Sequence, residues 1–128
     1  MRGLSLDTGG YNSGSIGQTQ LDWLQSELEA THSRWFDGAG NEVRSGAADQ
    51  LVLLFSHYNP RSMGGFLADP ANPDERRILG PELVDFLHRW PNVVAWVNGH
   101  HHVNEVTPYP DPSGRTAGFW DINTASHV

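Results

Sequence analysis

The run Gly99-His100-His101-His102 follows the apolar stretch Val93-Val94-Ala95-Trp96-Val97 directly. Neutral imidazole is the commonest metal-binding side chain. Side chains alternate along extended backbone, so a strand continuing through the histidines would aim His100 and His102 one way and His101 the other. Two imidazoles in fixed geometry suggest a metal site. A second apolar stretch, Leu51-Val52-Leu53-Leu54-Phe55, ends in Ser56-His57. If the two strands are parallel, their carboxyl ends share the sheet edge where open α/β sheets hold ligands. His57, His100 and His102 are therefore the candidate metal ligands. The chain has no Cys, which excludes a thiolate site and leaves His and oxygen donors.

The other candidates are weaker. Arg61 follows His57 by a few positions, and guanidinium matches phosphate geometry. A solvated loop arginine is the simpler reading of it. Asn98 and His101 flank the ligands and are placed to orient them through hydrogen bonds. His32, His88 and His127 are read as structural. His88 falls on the polar side of its helix, and His32 sits near a helix C-terminus, where a cation is mildly favoured. Arg76-Arg77 beside Asp74-Glu75 reads as a mixed-charge surface, and Trp96, Phe119 and Trp120 as core.

Elements able to position these residues are legible in the pattern. Leu4–Asp7 is a short strand candidate, followed by a Gly/Ser/Asn-rich loop from Thr8 to Gly17. Leu21, Leu24 and Leu28 mark a helix from Gln18 to about Thr31, with Trp23 widening its apolar stripe and Ser15 or Thr19 as cap. Ser33 to Asp49 reads as a polar connection. Leu51–Phe55 has the continuous apolarity of a central strand covered on both faces. Arg61 to Leu79 is a long loop, of the kind that is usually functional or mobile. Gly80-Pro81-Glu82 opens a second helix whose stripe is Leu83, Phe86, Leu87 and Trp90. Val103–Tyr109 and Ala117–Asn123 read as strands joined around Asp111-Pro112-Ser113-Gly114.

The 128 residues suffice for one domain with a real core. With 14 Gly and 8 Pro, the composition fits an α/β domain with long loops. A formal net charge of −7 argues against a general nucleic-acid-binding surface. All 8 basic residues are Arg. No apolar run approaches membrane-spanning length. Met1–Asp7 lacks the apolar core of a signal peptide and reads as the start of a strand. Both ends look cut from something longer, and localisation stays open.

The ordered set of Leu51–Phe55 then His57, and Val93–Val97 then Gly99-His100-x-His102, resembles the last two motifs of the calcineurin-like metallophosphoesterases. Leu6-Asp7-Thr8 through Gly17-Gln18-x-Gln20-Leu21-x-Trp23-Leu24 is similar to the family's preceding strand and helix. Gly118-Phe119-Trp120-Asp121-Ile122-Asn123-Thr124-Ala125-Ser126-His127 resembles an actinobacterial branch of it. The family's first three motifs, D-x-H, G-D-x-x-D and G-N-H-[DE], are absent. Gly40-Asn41-Glu42 matches the third only in part, lacks its His, and reads as a turn.

The resemblance implies the C-terminal part of a two-sheet αββα fold. By it, His57 and His100 would bind one divalent cation and His102 a second (Mn, Fe or Zn). In the complete enzyme the two ions would stand about 3.5–4 Å apart. The implied activity is hydrolysis of a phosphate ester by metal-activated water, with monoester, diester and nucleotide substrates all admissible. The missing half would supply the bridging carboxylate, the Asn ligand and the His that assists the leaving group. These 128 residues alone are therefore expected to bind one cation or none and to be inactive. Two other classes stand beside that reading. One is a non-catalytic binding or assembly module whose unpaired sheet edge joins another copy. The other is a mononuclear zinc hydrolase, which would need Asp69 or Asp74 as a carboxylate near His57.

Overall fold

The computed structural model describes residues 1–8 and 14–125; the expectations for His127 and for residues 9–13 of the Thr8–Gly17 loop lie outside them. The elements run β1 (Arg2–Ser5), β2 (Ile16–Gly17), α1 (Gln18–Glu29), β3 (Arg34–Phe36), β4 (Glu42–Arg44), β5 (Val52–Phe55), a 3-10 turn (Pro60–Ser62), β6 (Arg77–Ile78), α2 (Gly80–Leu87), β7 (Val93–Asn98), β8 (Glu105–Tyr109) and β9 (Phe119–Asn123). Five strands form one mixed sheet in the order β1-β5-β7-β9-β8. The first four are mutually parallel, and β8 runs antiparallel to β9. The parallel pairing of β5 with β7 is the arrangement on which the site depends.

The strand order dictates where the helices go. The chain steps the same way across the sheet from β1 to β5 and from β5 to β7, and right-handed crossovers then put α1 and α2 on one face. Leu4, Leu54, Trp96 and Phe119 point into that face and share a buried cluster with Leu21, Leu24 and Leu28 of α1 and Leu83, Phe86 and Leu87 of α2. Each large side chain removed from water there stabilises by roughly 1.5–3 kcal/mol before entropy is charged against it.

The opposite face is apolar and lacks a helix among the described residues. Leu53, Phe55, Val97, Trp120, Ile122 and Val106 occupy it by register, and none of them joins the core cluster. Phe55 is 39% exposed, Trp120 52% and Val106 60%. The expectation that Leu51–Phe55 is covered on both faces is therefore corrected: only Val52 and Leu54 are buried. Trp120 likewise leaves the core assignment, and Trp23 stands out from α1 instead of widening its buried stripe.

Other local expectations change for identifiable reasons. Neither Ser15 nor Thr19 caps α1; Gly17 is the N-cap and has no side chain to do it. The Glu75 carboxylate substitutes, accepting from the Thr19 amide at 3.2 Å, and a β-carbon at Gly17 would collide with it. The connection from Ser33 to Asp49 holds a hairpin, because Trp35 and Val43 pair across two three-residue strands. Asp37 closes its turn by accepting from the Ala39 and Asn41 amides, both at 2.9 Å, so Gly40 and Asn41 lie in a turn while Glu42 already opens β4. The loop from Arg61 to Leu79 carries β6, which pairs with β2. α2 stops at Leu87, yet Trp90 beyond it is buried beside Phe86. His88 is buried, not on a polar face, with Nε2 2.9 Å from the Tyr109 carbonyl.

Candidate functional site

The carboxyl ends of the parallel strands bring distant residues together. After β5, the Ser56 hydroxyl donates to the Tyr58 carbonyl at 2.6 Å and accepts from the Trp96 indole at 2.7 Å, which bends the chain over β7. The Gly99 amide then donates to the His57 carbonyl at 3.0 Å, so the two histidine-bearing turns are stitched to each other. The His57 and His100 rings lie edge to face with centres 5.4 Å apart. The Tyr58 ring touches both, at 4.9 Å from His57 and 4.4 Å from His100.

His100 and His102 do not continue the strand. β7 ends at Asn98, and both histidines adopt left-handed backbone, with φ of 74° and 56°. They are the only non-glycine residues with positive φ among the described residues. The alternation expected from extended backbone is thus corrected: the turn, not a pleat, sets the directions of these rings. Left-handed backbone disfavours L-residues by about 1–2 kcal/mol, and His is among the types that tolerate it best. Strained positions of this kind gather at sites where surrounding structure holds them.

A polar lattice beneath the turn does the holding. Asn98 donates from Nδ2 to Asp121 at 2.5 Å and accepts from Asn123 Nδ2 at 2.8 Å. Asn123 also donates to the Gly99 carbonyl, and the Thr124 amide donates to the Asn98 carbonyl at 2.9 Å. All three side chains are buried, and Asp121 Oδ2 and Asn123 Oδ1 have no partner among the described residues. Burial pushes the Asp121 carboxyl up, against the hydrogen bond from Asn98. Asn98 lies beneath the turn within this lattice, whereas His101 is exposed, with its ring against that of His100. Asp121 and Asn123 escaped the sequence reading. The signal was the alternation Asp121-x-Asn123 in a strand whose neighbour on that face, Phe119, is apolar.

Arg61 is neither free nor merely solvated: it pairs with Glu105 at 3.1 Å, near Asp121. Asp69 and Asp74 line clefts beside the start of α1, with no histidine among the lining residues.

The donor set fits a cation in part. Two imidazoles on one tetrahedral ion, with nitrogens at about 2.1 Å, hold their ring centres about 5 Å apart, close to the His57–His100 separation. Partial burial lowers the pKa of His100, and His101, His57 and His102 lower it further, which favours the neutral ligand form. No ring nitrogen of His57, His100 or His102 has a hydrogen-bond partner among the described residues. No group of three His, Asp or Glu side chains converges among the described residues, so His102 does not complete a set. Comparisons with protein-family models, with curated proteins and with solved structures found no match.

Proposed function

We propose that this chain is the metal-binding C-terminal portion of a metal-dependent phosphoesterase, with His57 and His100 sharing one cation and His102 serving a second. What carries the proposal is the coincidence of strain and chemistry. Among the described residues, the two non-glycine residues in left-handed backbone are His100 and His102, and His100 stands against His57. A divalent cation there would supply Lewis acidity toward a phosphoryl oxygen and acidify bound water. The chain's own part is to hold the imidazoles neutral and oriented, through the Asn98–Asp121–Asn123 lattice and the Gly99–His57 backbone bond. The apolar sheet face supports the four-layer fold, because a second sheet laid on Phe55, Val97 and Trp120 would bury it.

Cobalt(II) titration followed by visible absorption tests the metal half of the proposal. One weakly held ion is expected in the wild-type chain, with binding reduced in His57→Ala and in His100→Ala. Equal spectra for wild type and both variants would remove the site. Turnover of p-nitrophenyl phosphate or bis-p-nitrophenyl phosphate with manganese is expected to be negligible for this chain alone. Activity abolished by His100→Ala would show it to be self-sufficient. A second reading, a non-catalytic assembly module, draws on the same exposed face. A stable metal-free dimer in light scattering would favour it.

A further inference from the structure

Seven of the eight arginines pair with a carboxylate within 4 Å: Arg2 with Glu27, Arg34 and Arg44 with Glu42, Arg61 with Glu105, Arg76 with Glu82, Arg77 with Glu75, and Arg115 with Asp111. Arg89 is the exception among the described residues. It is half-buried, and its guanidinium lies over the Phe86 ring, 4.7 Å from the centre. Burial, and then the charge of Arg115, lower its pKa, while Asp37 acts the other way. Asp37 is occupied by the Ala39 and Asn41 amides of its own turn. Arg115 is held loosely by Asp111, at 3.7 Å, and lies over Phe36 at 5.6 Å.

Both guanidinia line one cleft of about 460 Å³ with Gly38, Gln25 and Arg76. The hairpin turn leaves them room: a β-carbon at Gly38 would press on Arg89 Nη1 at 3.3 Å, and one at Gly40 would meet Arg115 Nη1 at 3.6 Å. Glu82 and Asp85 also line the cleft, but Glu82 is bound by Arg76 at 2.6 Å. The cleft thus holds two neighbouring guanidinia, Arg115 with Asp111 on its far contact and Arg89 with no carboxylate within 4 Å among the described residues, and with Asp85 also on the lining. Like charges so placed repel unless an anion lies between them.

We infer that Arg89 and Arg115 form a phosphoryl-binding site, separate from the histidines. A phosphate dianion would neutralise both cations, whereas a carboxylate would neutralise one; guanidinium forks also match phosphate oxygens in geometry. Arg89 precedes β7 and Arg115 precedes β9, so the cleft lies where those parallel strands begin. His100 lies where β7 ends, about 20 Å away along a six-residue strand. The inference does not rest on the phosphoesterase reading.

The test is calorimetric titration of the chain with inorganic phosphate in EDTA, with acetate at matched ionic strength as control. Saturable phosphate binding without acetate binding is expected. Arg89→Met and Arg115→Met should each weaken it about tenfold or more. Arg44→Met and His100→Ala should leave it unchanged. The melting temperature without phosphate should not fall in Arg89→Met, because a repulsion is relieved while the stem still covers Phe86. If Arg89→Met fails to fold, Arg115→Gln carries the same comparison. Phosphate binding no stronger than acetate, or insensitive to both arginines, or lost in His100→Ala, would overturn the site.

Discussion

His32 lies at the end of the sheet where β7 begins, and His100 lies where it ends. His32 is buried, with Nδ1 2.7 Å from the Leu28 carbonyl and Nε2 accepting from the Asn92 amide at 2.9 Å. Both its nitrogens are committed and its ring meets Trp90 edge-on at 5.1 Å. His100 has ring contacts with His57, Tyr58 and His101, no hydrogen bond to either ring nitrogen among the described residues, and left-handed backbone, which costs any L-residue something. One histidine is used as a joint, and the other is held at a cost with its chemistry exposed. The contrast separates a structural imidazole from a candidate ligand by hydrogen bonding and backbone conformation as well as by burial.

The largest expected effect tests that contrast directly. His32→Ala should destabilise by about 3 kcal/mol in urea denaturation, since it opens a cavity beside Trp90 and orphans the Asn92 amide. His100→Ala should stay within about 1 kcal/mol of wild type. Equal losses would make the His100 turn structural and weaken the metal proposal.

A pH series sharpens the same difference. Burial lowers the His32 pKa below its ordinary 6.5, against the Leu28 hydrogen bond and the charge of Asp49. The unfolded chain then binds more protons than the folded one as pH falls through that ordinary value. Stability should decline as pH drops from about 7 toward 5, and the decline should shrink in His32→Gln, whose amide does not titrate there. An unchanged slope in the variant would assign it to other groups.

The smallest effect is the most diagnostic. His100→Gly or His102→Gly relieves left-handed backbone and should stabilise the chain by about 0.5–1 kcal/mol. The same changes should weaken cobalt binding. A substitution that helps the fold and harms binding marks a residue kept for something other than folding.

Much of the scaffold could be read from hydrophobic pattern. The runs at Leu51–Phe55 and Val93–Val97, with the helical stripe of Leu83, Phe86 and Leu87 between them, prescribed a parallel pair, and β5 and β7 are one. His57 and His100 meet because of it. The conformation of the histidine run was not readable, because left-handed backbone depends on the Asn98–Asn123 lattice, assembled from strands far apart in sequence. The hairpin of β3 and β4 was hidden for a different reason: strands of three residues are too short to show a period, and β4 carries charges at both ends. Arg61 looked unpaired only because its partner, Glu105, arrives from the far edge strand.

The Glu75 carboxylate that receives the Thr19 amide makes the first turn of α1 depend on a residue more than fifty positions downstream. During synthesis that turn emerges from the ribosome long before its cap exists. It stays frayed until the loop around Asp69–Glu75 is also free to close on it. A fragment ending anywhere before Glu75 should therefore show less helix than its sequence would suggest.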